Sequence, residues 1–186
     1  MSQTSIVFLE GKLVRLRPLR ASDAEGPYPS WLNSQEVSVH NSHGARPYPI
    51  SAALAYIESL HGNQEKIVLA IEDKASGTHI GNVALQAIHP IYRTAELAIL
   101  IGDAARQRKG VGTESCLLML EHGFQRLNLH RISCGTFSGN FGMIRIAEKL
   151  RMKQEGRRRD AAYKNGAYVD VIEFGILKSE FIVSGM

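Results

Sequence analysis

Hydrophobic positions along this chain change their spacing several times, and each change marks a new element. Lys12–Leu16 alternates around Leu13, Val14 and Leu16, which predicts a short strand ended by Pro18. Ser22-Asp23 can open a helix after it. Residues 26–49 hold four prolines, Trp31 and the polar run Asn41-Ser42-His43-Gly44, so they read as loop with one helical turn at Trp31. Ser51 is placed to cap a helix to Leu60, with Leu54, Ile57 and Leu60 on one side. His61-Gly62-Asn63 stops it.

Three strands come next: Ile67–Ile71, then Thr78–Leu85 after a turn at Asp73–Gly77, then Ala95–Ile101. Their short connections, one of them His89-Pro90-Ile91-Tyr92, predict an antiparallel meander. From Gly110 to Leu127 the spacing becomes helical, with Cys116, Leu117, Leu120, Phe124 and Leu127 on one stripe. Arg131–Phe137 is a strand, Asn140–Leu150 a helix, and Met152–Arg157 with Ala167–Leu177 a closing hairpin. The order β-α-α-β-β-β-α-β-α-β-β carries no repeat, low-complexity segment or linker, which predicts a single α/β or α+β domain over 1–186.

Composition narrows the class. A 44% hydrophobic share excludes disorder, and no apolar run nears the roughly 18–20 residues of a membrane span. Met1–Ser5 lacks a basic leader segment, so a soluble, cytoplasmic protein without membrane association is expected. Cys116 and Cys134 are too few for a disulfide framework and fall at packing positions, so reduced thiols are expected. The net charge of +4 is unevenly spread: residues 93–159 carry 13 basic against 6 acidic side chains. That segment therefore suits an anionic partner.

The same segment holds a loop built for one. Gln107-Arg108-Lys109-Gly110-Val111-Gly112-Thr113 joins a strand end to the strongest helix. Glycines there let the backbone turn tightly, and a helix N-terminus offers free N–H groups to an anion. Arg106, Arg108 and Lys109 add charge. A P-loop would need four residues between its glycines and then Gly-Lys-Ser/Thr, which is absent. A dinucleotide fingerprint would need a third Gly or Ala where Ser115 stands, and an acidic residue near Arg131–Phe137.

Gln107-x-x-Gly110-x-Gly112 resembles the pyrophosphate loop of the GNAT superfamily of N-acetyltransferases, and its surroundings extend the likeness. Ala95–Ile99 resembles the family's central strand, and Leu129-His130-Arg131-Ile132 the start of the next. Leu13–Leu19, Ile80-Gly81-Asn82-Val83, Asn140, Glu148-Lys149-Leu150 and Glu155-Gly156 resemble the RimJ/RimL-like branch, so the match runs from about residue 10 to 178. The resemblance implies a mixed, mostly antiparallel twisted sheet of about seven strands flanked by about four helices. It also implies acetyl-CoA as co-substrate, its pantetheine along Leu97, Ala98 and Ile99 and its pyrophosphate on Gln107, Arg108, Lys109, Gly110, Val111, Gly112 and Thr113, with Asn140 assisting.

The reaction so implied is direct attack by a primary amine on the thioester, with neither cysteine as nucleophile. Such an amine, with a pKa near 10, must lose a proton first, and Glu96 on the central strand is the candidate base. Its other reading is a strand carboxylate facing solvent or paired with Arg93. The family's usual proton donors, a Tyr and a Ser, are replaced here by Ala147 and Met143. Their loss motivates an alternative reading as a non-catalytic acyl-CoA-binding module.

Trp31, His43, Arg46 and Tyr48 lie where the family builds its acceptor pocket. Arg157-Arg158-Arg159 is either a solvated strand end or a feature favouring an acidic acceptor. His40 and His43 have no third ligand nearby in sequence, so no metal is expected. The basic residues lack interleaved aromatics, so no nucleic-acid partner is expected. The partner is an amine acceptor, its identity open; a homodimer remains open too.

Overall fold

The strand-forming runs assemble into one eight-stranded mixed sheet in the computed structural model, which describes residues 6–181. Met1–Ser5, the segment used above to judge secretion, lies outside the described residues. The strands are β1 (Leu9–Glu10), β2 (Val14–Pro18), β3 (Ile67–Asp73), β4 (His79–His89), β5 (Thr94–Ile101), β6 (Arg131–Phe137), β7 (Lys153–Lys164) and β8 (Ala167–Leu177). They lie in the order β1-β2-β3-β4-β5-β6-β8-β7. The helices are α1 (Tyr28–Asn33), α2 (Gln35–Ser38), α3 (Ile50–Ser59), α4 (Val111–Gln125) and α5 (Phe141–Lys149). Every neighbouring pair is antiparallel except β5–β6. That pair is parallel because α4 crosses between its two strands.

Alternation along β5 divides the molecule into two cores. Ala95 and Leu97 are buried, and Ile99 and Ile101 pack, on the face covered by α4 and α5, with Met119, Leu120, Phe124 and Ile132. Leu100 joins Ala70, Trp31, Leu32, Ala53 and Ile57 on the other face, under α1 and α3. Each face thus has its own helical layer, and β5 serves both.

The α/β fold is as expected, with these differences in detail. Among the described residues there are eight strands and five α-helices. The added strand, β1, is two residues long, too short for any alternation to register. Residues 26–49 are more helical than expected, holding α1 and α2. Pro27 and Pro29 sit at helix-start positions, where a missing N–H costs nothing. Ser34, not anticipated as a cap, accepts the Val37 N–H. Ser51 does not cap α3: Pro49 stands at that position and Ser51 lies inside the first turn. Ser22-Asp23 opens only a 3-10 turn, Ala21–Ala24.

That turn is held by a buried ion cluster. The Arg17 guanidinium donates to both oxygens of Asp23 (2.8 and 2.9 Å) and to Glu72 (3.2 Å). All three residues are buried. A planar fork of donors matches a carboxylate on two points, which makes this geometry directional. It ties the chain entering α1 to the β2–β3 ladder.

Arg151, just after α5, has φ 59°, the left-handed conformation that favours glycine. Arg151→Gly is therefore expected to stabilise the fold by about 0.5–1 kcal/mol, read as a higher denaturant midpoint at unchanged slope. Burial pushes the Asp23 carboxyl up, but the Arg17 guanidinium and the Arg20 N–H outweigh it and hold it below the usual carboxylate range. A depressed folded-state value stabilises at neutral pH and loses that contribution as pH falls from about 4 through the folded value. Acid unfolding of Asp23→Asn should be correspondingly less steep.

Candidate functional site

The site begins where a ladder stops. β5 and β6 pair at only three positions, Thr94↔Arg131, Ala95↔Ile132 and Glu96↔Ser133, although both strands run on. β5 stays registered with β4 up to Ile101, and β6 with β8 up to Phe137. Past Glu96 the two strands therefore follow different neighbours and diverge. The β5 main chain from Leu97 to Ile101 faces the resulting gap on the β6 side.

The N-terminus of α4 stands beside that gap. Gly110 takes φ 87° at the cap position, and Arg108 takes φ 61° before it. A Cβ on Gly112 would come within 3.1 Å of Ile146 Cδ1 and 3.7 Å of Ile99 Cδ1, so glycine lets α4 close against α5 and β5. The N–H groups of Val111, Gly112 and Thr113 lie in the first turn, where no intrahelical acceptor exists. Gln107 donates from Nε2 to the Ile101 carbonyl (3.3 Å), fastening the loop to the end of β5.

Two carboxylates flank this anion-friendly end, and both are occupied. Glu114, in the first turn of α4, accepts the Lys12, Leu13 and Val14 N–H groups at 2.8, 2.7 and 2.9 Å. Asp73 pairs with Arg106 at 3.2 Å. A hydrogen bond from the Ser76 side chain, with further help from the Ser76 N–H and the nearby Arg106 and Lys109, holds the Asp73 carboxyl below its usual value against the opposing effect of burial. Sequence reading missed both, because their partners are about 100 and 33 residues away and no local spacing reveals them.

Glu96 is half-buried on the sheet face opposite Ala95 and Leu97. It forms no ion pair among the described residues, so the Arg93 pairing is not made. Met143 and Ala147 are buried in the main core, and neither side chain can donate a proton. Asn140 caps α5, its Oδ1 accepting the Met143 N–H at 3.1 Å.

The acceptor candidates separate into two groups. Trp31 is buried, edge-on to His79 with centroids 5.0 Å apart. A Cβ on Gly102 would lie 1.9 Å from the Trp31 ring, so the indole rests directly on the end of β5. Gly102 was not anticipated, and its only signal was a glycine ending a strand. Tyr48 is held by Asn33, which accepts its N–H and donates to its carbonyl, both at 2.8 Å.

His43 and Arg46 are exposed in the following loop, which with Asn33 surrounds a cavity of about 260 Å³. The Lys164 ammonium donates to the His43 carbonyl (2.8 Å), docking the β7–β8 hairpin against this loop. His40 lies 3.8 Å from the Cβ position of Gly139, in the turn after β6. The segment from Trp31 to His40 thus runs from the last residues of β5 to the turn beyond β6.

The arginine triplet largely explains itself. Arg157 pairs with Asp170 at 2.5 Å and Arg158 with Glu173 at 2.8 Å, both across the β7–β8 ladder. Among the described residues no cluster of three or more His, Cys, Asp or Glu could hold a metal ion. No described helix is long and apolar enough to cross a membrane.

A splayed parallel pair opening beside a glycine-rich helix N-terminus has free backbone donors suited to an extended, phosphate-bearing ligand. Comparison with known proteins gives the class a family. Residues 14–153 match the family described as "Acetyltransferase (GNAT) domain", so the chain belongs to the GNAT acetyltransferases. It is 28% identical to "Probable N-acetyltransferase YjcK" of Bacillus subtilis over 186 residues, 92% of this chain and 98% of that one. It is 28% identical to the spermidine N(1)-acetyltransferase of Escherichia coli K12 over 171 residues, 91% and 88% of the two chains. Among solved structures, Mycobacterium smegmatis RimJ in complex with CoA-disulfide superposes with a TM-score of 0.78 at 19% identity, covering 90% of this chain and 83% of that one. At that identity the likeness is one of fold. The protein is an N-acetyltransferase.

The two thiols provide a direct check on the site's chemistry. Burial, with a contribution from Glu96, pushes the Cys134 thiol up to about 12, and complete burial also raises the Cys116 thiol well above its usual value. Neither is nucleophilic near neutrality, since the thiolate is the reactive form. Folded protein at pH 8 should therefore resist a thiol-modifying disulfide reagent, with both cysteines titrating only after denaturation.

Proposed function

We propose that this chain, acting as a single catalytic domain in the cytoplasm, catalyses direct transfer of the acetyl group of acetyl-CoA to a primary amine. One observation carries the reading: the β5–β6 ladder ends at Glu96↔Ser133, and the α4 N-terminus packs against Ile99 and Ile101 in the unpaired stretch beyond it. The fit to coenzyme A rests on the residues present. Left-handed Gly110 and close-packed Gly112 leave the first-turn amides of α4 open to a pyrophosphate, and Arg108 and Lys109 add charge. Leu97, Ala98 and Ile99 offer main-chain groups along the gap for the amides of a pantetheine arm. Asn140, with its Oδ1 committed to capping, retains its NH₂ for the same ligand. The structure of RimJ with CoA-disulfide supports this assignment.

Acetyl-CoA, when bound, supplies an activated thioester. The chain's own part is to orient, to deprotonate and to exclude. Glu96 accepts the proton that the ammonium form of the acceptor must lose, directly or through one water. An N–H near Leu97 or Ala98 donates where negative charge builds on the carbonyl oxygen. With Met143 and Ala147 apolar, the leaving thiolate relies on water, which is tolerable for a thiol of pKa roughly 8–9. Trp31 and Tyr48 set the position of the covering segment, while His43 and Arg46 face the acceptor.

Thiol release from acetyl-CoA across an amine panel tests the activity. Turnover on at least one primary amine is expected, and tight cofactor binding without turnover on any amine would leave only the binding-module reading. Glu96→Gln should lower kcat about 10²-fold or more while the KM for acetyl-CoA stays within about twofold. An unchanged kcat would remove Glu96 from the base role.

A further inference from the structure

The relatives that act on spermidine raise the question of whether this acceptor site suits a polycation, and its charges point the other way. A solvent-open cavity of about 260 Å³ is lined by Asn33, Gly44, Ala45, Arg46 and Pro47, all exposed, on the loop whose His43 carbonyl is bound by Lys164. It falls below the roughly 300–1,000 Å³ of sites that enclose a whole small ligand, so it suits one substituent of an acceptor. Its single charged wall residue is cationic, and Arg46 makes no ion pair among the described residues.

Asn33 brings no negative charge to the cavity and is held by backbone partners. Its Oδ1 takes the Tyr48 N–H, and its Nδ2 serves the Pro29 and Tyr48 carbonyls. A second cation, Lys164, is anchored on the same loop through the His43 carbonyl. Arg157 and Arg158, by contrast, are paired with Asp170 and Glu173 on β8.

Resting on the acetyltransferase reading above, we propose that the Arg46 cavity is an anion subsite for the acceptor, and that Arg46 selects primary amines bearing a carboxylate or phosphate near the amine. Glu96 attracts the ammonium end, while Arg46 and Lys164 receive the anionic end. A guanidinium fork meets either oxyanion on two donors, which orients the acceptor as well as attracting it. A polyamine would present its second ammonium to the same cations and be repelled.

The test uses the full chain saturated with coenzyme A, which blocks the α4 anion site. Inorganic phosphate and acetate serve as probes, followed through the arginine Nε–H resonances. A saturable shift of the Arg46 signal is expected, lost in Arg46→Gln and kept in Arg157→Gln. Absence of that shift, or a protein-wide response that persists in Arg46→Gln, overturns the proposal. The comparison of phosphate with acetate shows which oxyanion the subsite prefers.

A kinetic arm compares glucosamine with glucosamine 6-phosphate, alanyl-glutamate with alanyl-glutamine, and spermidine with all four. The anionic member of at least one pair should be favoured tenfold or more in kcat/KM, and Arg46→Gln should erase that preference. Equal rates within both pairs, or a preference for spermidine, overturn the proposal while leaving the acetyltransferase reading intact. Failure of every amine to release thiol counts against that reading instead, and the resonance shift alone then decides the anion subsite.

Discussion

The structure depends on a conflict over hydrogen-bond partners. β5 follows β4 over its full length and β6 follows β8 over all seven of its residues, so the two strands can share only the three positions at their start. A parallel pair is slightly weaker per residue than an antiparallel one, and it is the pair that yields. What yields exposes main-chain N–H and C=O groups between two otherwise complete half-sheets. Such groups need a partner, and an extended ligand with amide groups of its own meets that need. The helical layers follow from the same split: α4 and α5 close one face, while α1 and the loop after it bridge the other.

Electrostatics complete the site by subtraction. The cations of residues 93–159 looked like one undivided basic segment, yet many are spent internally. Arg131 pairs with Glu155 and Lys153 with Glu180, Arg157 and Arg158 pair with β8 carboxylates, and Arg106 is held by Asp73. These largely exposed pairs add little stability individually, but they remove charge from the outer strands. Arg108 and Lys109 remain beside the α4 amides, where a phosphate would feel them most.

Much of the fold was legible because its elements obey simple periods. The strand Arg131–Phe137 appears with the bounds read from its alternation, and the meander of β3, β4 and β5 follows from short turns between apolar runs. The glycine loop was legible for a different reason: Gly110 and Gly112 serve local backbone geometry, and local geometry leaves a local signature. Where reading failed, the cause was distance. α1 extends the helical turn expected at Trp31, α2 was not anticipated, and Ser51 looked like a cap until Pro49 occupied that position. Gly102 and Trp31 are 71 positions apart in the chain and define each other only in contact.

The sequence by itself determined the elements, their approximate order, the glycine-rich loop at the start of α4 and the membership of a family. Each of these depends on neighbours within a few residues or on a contiguous motif. The tertiary structure alone decided which cations are free, which aromatic residues are walls and which are core, and where the sheet opens. Those outcomes depend on pairings across tens of residues, where a side chain's partner is set by strand register and helix docking, not by spacing along the chain.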